Sequence, residues 1–419
     1  MTGHAIQWMA AVLFALALVH TFSTKFFEHL AHTHPAHAGV WHLLGEVEIV
    51  FGVWAMVFMT LAVATVGSAP ALAYLDGRNF TEPLFVFAIM VVAGSRPILQ
   101  AASAAVNAVV RVLPLPRPMA FYFTTLSLVP LLGSFITEPA AMTLAALLMR
   151  GPIFAQLPSR LKYATLGTLF VNVSIGGTLT PFAAPPVLMV AAKWGFDLSY
   201  MITHIGWKAA LAVFINAAVL TALNARTLRG LTVAAESPYR GVPAHMVAVH
   251  VGFLTLIVLL SHHPAAFLSV FLLFMGVATA YPQYQDRLIL REGLLVAFFL
   301  GGLVVLGGMQ QWWLQPLLES MSDAQVYFGA TVLTAITDNA ALTYLGSLVD
   351  GLSDDFKYAL VTGAVTGGGL TVIANAPNPA GAAILKGTFR EGAISPKGLF
   401  LGALGPTLVA ILCFRLLPH

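Results

Sequence analysis

Charge and sulfur are scarce in this chain. Only 9% of its 419 residues are Asp, Glu, Lys or Arg, against roughly 25% in an ordinary soluble domain, so there is too little charge to cover a water-facing globule. A single cysteine, Cys413, excludes an internal disulfide. No zinc-protease helix, phosphate loop or nucleophile–base motif occurs, so the chain is expected not to be an enzyme and to need no cofactor. The formal net charge of +3 does not point to nucleic acid, because the basic residues sit mostly in short loops, as membrane orientation requires. The first apolar run lacks a basic leader, so it is expected to persist as a membrane helix.

Apolar sequence is abundant. Hydrophobic residues make up 58% of the chain, and the mean hydropathy is +0.86. Runs of spanning length recur from end to end, which predicts an all-α polytopic protein whose main partner is the lipid bilayer. The expected location is a bacterial inner (plasma) membrane. Candidate spans are 5–22, 40–66, 84–110, 164–193 and 205–225, then 245–261, 264–281, 293–313, 358–388 and 398–417. Arg96, within Gly94-Ser95-Arg96-Pro97, interrupts the third and can shift its boundary or line a cavity.

One phrase occurs twice. Thr137-Glu138-Pro139-Ala140-Ala141-Met142-Thr143 returns 200 positions later as Thr337-Asp338-Asn339-Ala340-Ala341-Leu342-Thr343, with four of seven positions identical and one acid in each copy. Acids in apolar surroundings mark ion or substrate paths. Each lies at the centre of a segment, 119–150 or 325–350, whose arms look too short for two crossings, and a re-entrant hairpin is expected there. The flanks of the first hairpin are basic (Arg111, Arg117, Arg150, Arg160, Lys162), and those of the second are acidic (Glu319, Asp323, Asp350, Asp354, Asp355 against Lys357). The first pair of flanks therefore reads as cytoplasmic and the second as outside. Five crossings per half make the halves inverted. The expected organisation is a first repeat over 1–225, a cytoplasmic linker over 226–244 marked by Glu236, Pro238 and Arg240, and a second repeat over 245–419.

After each hairpin comes a span broken by Gly and Pro, 164–193 around Gly176-Gly177-Thr178-Leu179-Thr180-Pro181 and 358–388 around Gly367-Gly368-Gly369-Leu370-Thr371 to Asn375-Ala376-Pro377-Asn378-Pro379. Freed carbonyls can coordinate a cation, half-helix amino termini can face an anion, Thr and Asn add neutral oxygens, and a carboxylate adds charge and a proton-exchange site. Asp338, flanked by Thr337 and Asn339, ranks first, and Glu138, backed by Pro139, ranks second. Either acid can instead be held in an ion pair with Arg96 or Lys208.

The Asp338-Asn339 tip, followed by Leu370-Thr371 through Pro379, resembles the sodium/proton antiporter family within the ion transporter superfamily. The resemblance is strongest over 119–190 and 325–390. It implies inverted repeats, an elevator-like transport domain and a homodimer. By position it makes Asp338 and Asn339 the main ion-binding pair, helped by Thr337, Asn375, Asn378 and Thr371, with Glu138, Thr137 and Thr180 from the first repeat. The Glu138-Pro139 tip departs from the family's Asp-Asn pattern, which speaks against symmetric two-ion binding. The Ser-Asn-Thr tips of the dicarboxylate branch are absent.

The leading expectation is a secondary antiporter that exchanges Na+ or a similar cation for H+ by alternating access. An organic-anion or metalloid-oxyanion carrier that uses helix amino termini and Arg96 is the alternative. A third class, a metal-handling or pH-sensing membrane protein, rests on Glu28 and the histidines that follow it. His29, His32, His34 and His37, with His42, Glu46 and Glu48 beyond, are the candidate metal site.

Overall fold

A computed structural model describes residues 3–233 and 241–418, except the side chains of Lys25, Glu28 and Pro35. Glu236, Pro238 and Arg240 of the expected linker lie outside the described residues. Ahead of them a short helix, Ala225–Arg229, carries Arg226 and Arg229.

The described chain is all-helical, 81% helix and without strands. A bilayer explains this, since each backbone N–H and C=O must find its partner inside the segment. The main helices are α1 (His4–Phe22), α2 (Val50–Val66), α3 (Thr81–Ala93), α4 (Arg96–Val112), α5 (Arg117–Ile136), α6 (Glu138–Met149), α7 (Ser159–Gly176), α8 (Pro185–Trp194) and α9 (Trp207–Leu223). They continue with α10 (Ala244–Leu259), α11 (Pro264–Ala280), α12 (Leu290–Gly307), α13 (Asp323–Thr334), α14 (Asn339–Ser347), α15 (Asp354–Gly367), α16 (Asn378–Leu385) and α17 (Pro396–Leu416). Six described stretches are long and apolar enough to cross a membrane, and a seventh is added if α3 and α4 count as one span bent by 66°.

Several boundaries differ from the expected spans and hairpins. The second span begins at Val47, because a separate helix, Ala38–Leu44, precedes it. The third bends at Gly94-Ser95, where Ser95 is extended and Pro97 restarts the helix in its first turn. The first arm of the first hairpin is also longer than a re-entrant arm requires. α5 has 20 residues, about 30 Å at 1.5 Å per residue, which is a full crossing. Its partner α6 has 12 residues and runs on into a π-helical turn, Arg150–Phe154, and α13 also has 12, about 18 Å for each α-helical part. α14 has 9, about 14 Å and well short of the ~30 Å hydrocarbon core.

Two helices form the centre. Residues 165–178, through α7 into its break, and 358–370, through α15, are buried without interruption. Small residues let neighbours approach closely: Gly176 lies against the backbone of Pro130 in α5, and Gly367 against Thr331 in α13. The packing exchanges partners between the two halves. α5 packs on α7 and α13 on α15, whereas α6 packs on α16 and α14 on α8. Each short second arm therefore rests on a half-helix from the other half of the chain.

Candidate functional site

The first acidic tip is a one-residue turn. Only Thr137 separates α5 from α6, with φ 71° and ψ 150°. That region is essentially reserved for glycine and costs about 1–3 kcal/mol, and a β-branched side chain has little freedom to adapt there. Glu138 opens α6 and Pro139 follows in its first turn. Ser134 fastens the turn to the first broken helix. Its hydroxyl donates to the Gly176 carbonyl at 2.7 Å and accepts from the Leu179 N–H at 2.9 Å. Its own carbonyl accepts from Thr180 Oγ1 at 2.6 Å.

The second tip is built differently. Asp338 is the amino-terminal cap of α14 and accepts from the N–H groups of Ala340 (2.8 Å) and Ala341 (3.3 Å), the usual use of Asp at that position. Asp338 is half-buried. Thr337 donates to the Leu333 carbonyl at 2.9 Å. Thr371 donates to the Ala335 carbonyl at 2.8 Å, repeating in this half what Thr180 does in the other.

The loop in the second broken helix joins the two tips. The Ala374 carbonyl accepts from the Asn339 backbone N–H at 3.3 Å. The next residue, Asn375, donates from Nδ2 to Glu138 Oε2 at 2.8 Å. Asn378 pins the loop from inside, donating to the carbonyls of Gly368 (2.7 Å) and Thr371 (2.8 Å). Glycine makes the fit possible at both tips: Gly177 lies on the Glu138 carboxylate, and Gly368 lies on Ser174 and the Asn339 amide.

Glu138, Asn339 and Asn378 are fully buried, and Asn375 nearly so. Several of their atoms have no protein partner, namely Glu138 Oε1, Thr137 Oγ1, Asn375 Oδ1, Asn378 Oδ1 and both amide atoms of Asn339. An unsatisfied buried polar atom costs about 1–3 kcal/mol, so these atoms can take a water or an ion as partner. Five of the six are oxygens, one belongs to a carboxylate, and no sulfur or imidazole is among them. Such a donor set suits a hard cation.

The sequence-predicted residues thus divide into two sets. Thr137, Glu138, Asn339, Asn375 and Asn378 are joined through the loop of the second broken helix, and each carries an unpartnered side-chain atom. Thr180, Thr337 and Thr371 spend their hydroxyls on backbone carbonyls, and Asp338 spends one carboxylate oxygen, Oδ1, on a helix cap. Ser134 and Thr334, the latter also buried with an unpartnered hydroxyl, were missed. Their signal is an upstream extension of the duplication, with Ser134 and Thr334 each three residues before Thr137 or Thr337, and Ile136 matched by Ile336. Arg96 pairs with Asp286 at 3.7 Å. Lys208, fully buried, donates to the Tyr358 hydroxyl at 2.9 Å.

Among the described residues no three His, Cys, Asp or Glu side chains gather to hold a metal ion. The site expected from His29, His32, His34 and His37 therefore does not form here. His29 and His32 ride on the helix Thr24–Thr33, His34 caps its end, and His37 falls in the turn beyond. His20, not singled out from the sequence, ties this region down: its ring bonds to the Leu44 carbonyl at 2.9 Å and accepts from Trp54 Nε1 at 3.1 Å.

An all-helical integral membrane protein with a buried, oxygen-lined site between broken helices belongs to the class of ion-handling membrane transporters. A family model described as "Putative Na+/H+ antiporter" matches residues 5–417, and the chain belongs to that family. No curated protein matches the chain in a search of such proteins.

Proposed function

We propose that the protein exchanges Na+ or a similar small cation for H+, with Glu138 as the carboxylate that holds either the cation or a proton. The observation that carries this reading is the state of Glu138: fully buried, with one oxygen on Asn375 and the other, Oε1, without a protein partner. A carboxylate in that setting requires a counter-charge, and a proton or a cation supplies it. Asp338 is an electrostatic neighbour of Glu138 and contributes negative field while capping α14.

The exchanged packing of α6 on α16 and α14 on α8 supports reading the halves as inverted repeats, with the short arms α6, α13 and α14 re-entrant. Alternating access follows as displacement of the two tips and broken helices as one body, an elevator-like motion within a homodimer. An anion carrier fits less well. Its substrate would meet Glu138 and Asp338 at the very amino termini that would have to attract it, and Asp338 already occupies two N–H groups of α14.

The test is a proton-flux assay in proteoliposomes holding a pH-sensitive dye. Added Na+ or Li+ is expected to drive proton movement in the wild type and not in Glu138→Gln. Undiminished flux in Glu138→Gln would overturn the assignment.

A further inference from the structure

Two cavities meet at Phe182 and Leu188. The outer one, about 620 Å³, is lined by Glu82, Phe85, Asp197 and His262 as well as by these two side chains. The inner one is a slot of about 10 Å³ between Thr137, Pro139 and Ala376, again bounded by Phe182 and Leu188. A single water needs roughly 10–15 Å³ by this kind of measure, so the slot has room for about one small particle stripped of its shell. It touches the strained Thr137, which precedes Glu138, and Ala376, which follows Asn375.

We infer that the outer cavity is the vestibule through which a hydrated alkali cation approaches Glu138, and that Phe182 and Leu188 are the gate where it sheds water. This rests on the reading of Glu138 as the cation site. Phe182 follows Pro181 in the irregular part of the first broken helix, and Leu188 lies in the first turn of α8; both are half-buried. The mouth is suited to cations. Asp197 is exposed, its Oδ1 accepting from the Tyr200 N–H at 2.7 Å. Glu82 accepts from Asn79 at 3.1 Å. α10 begins at Ala244 beside the linker, and α7 begins next to Arg160 and Lys162. Both run to this mouth, at Leu259 and, through α8, at Trp194. The vestibule therefore opens on the face opposite the basic loops, the outer one by the charge rule.

The experiment uses full-length protein with Cys413→Ala as background. Ala376→Cys places a thiol in the inner slot and Ala192→Cys places one in the vestibule. A membrane-impermeant cationic methanethiosulfonate is applied to right-side-out and to inside-out vesicles, and labelling is followed by mass spectrometry. Ala192→Cys is expected to label from the outside only. Ala376→Cys is expected to label slowly from the outside and about tenfold faster when combined with Phe182→Ala, the change given by about 1.4 kcal/mol off a barrier. Leu188→Ala serves as the second variant should Phe182→Ala not fold. Labelling of Ala376→Cys at an unchanged rate in both gate variants would overturn the gate, and labelling of Ala192→Cys from the inside would overturn its sidedness. These readouts do not use transport. Fast labelling in a protein whose wild type shows no cation-driven flux would support the aqueous route and sink the Glu138 reading instead.

Discussion

Asn375 donates from Nδ2 to Glu138 Oε2 at 2.8 Å, across 237 residues of sequence and from one half of the chain to the other. The bond places the loop of the second broken helix on the tip of the first acidic turn. It also leaves Asn375 Oδ1 and Glu138 Oε1 side by side in kind, both buried and both without a protein partner. Removing the amide leaves a buried carboxylate with less support, which is costlier than losing an exposed bond. Asn375→Ala is expected to lower unfolding free energy by about 1.5–3 kcal/mol, the range for hydrogen bonds to charged groups, and to weaken cation affinity. A thermal-stability series with and without Na+ checks both; equal stabilisation of wild type and variant by Na+ would contradict the link.

The two acids differ in what they hold. Asp338→Asn keeps an acceptor able to cap α14, since Asn and Asp are equivalent caps, whereas Asp338→Ala loses it at about 0.5–2 kcal/mol. The expected order of stability is wild type, then Asp338→Asn close behind, then Asp338→Ala. Asp338→Asn is also expected to retain more cation-driven flux than Glu138→Gln. The reverse order of flux would return Asp338 to the leading place.

Gly177 admits the Glu138 carboxylate. A β-carbon at that position would stand 2.5 Å from Glu138 Oε1 and 2.6 Å from its Cγ, so Gly177→Ala must push the side chain off its Asn375 partner. Loss of flux is expected, with a stability cost of about 1–3 kcal/mol for overpacking. Gly151→Ala, where nothing lies within 4 Å, is the control expected to behave as wild type. Full flux in Gly177→Ala would mean that the carboxylate position does not matter.

Thr137 carries positive φ that its side chain opposes. Thr137→Gly removes that strain, worth about 1–3 kcal/mol, and also removes one of the unpartnered oxygens. A higher melting temperature together with weaker cation binding is the expected pair of outcomes. A lower melting temperature would show that the hydroxyl stabilises the resting fold.

Much of this architecture is legible locally. Low charge and long apolar runs read directly as membrane helices, and the duplicated Thr-acid and Gly-Gly phrases locate both tips and both helix breaks. For the two acids the structure adds contacts that neighbours in sequence do not show. Thr337 and Asn339 give Asp338 polar company, and Oδ1 of its carboxylate also caps Ala340 and Ala341, as an acid at a helix start does. Pro139 makes Glu138 look structural, yet its partner comes from Asn375, and no local pattern encodes so distant a contact. The histidine run does not gather three ligands among the described residues, for a related reason. Its spacing crosses a helix end between Thr33 and His34, so side chains close in sequence point from different elements. Ser95 shows a boundary error with a physical cause: the apolar run continues through it, but Gly94 and Pro97 stop one helix and start another.

A cation that displaces a proton from Glu138 must release that proton to solution. Purified protein in weakly buffered detergent, near the pH where binding is half-inhibited by acid, is titrated with Na+ or Li+ while the pH is recorded. Saturable acidification in the wild type, absent in Glu138→Gln and preserved in Asp338→Asn, is the expected result. Equal acidification by wild type and Glu138→Gln would contradict the assignment of Glu138 as the site where cation and proton compete.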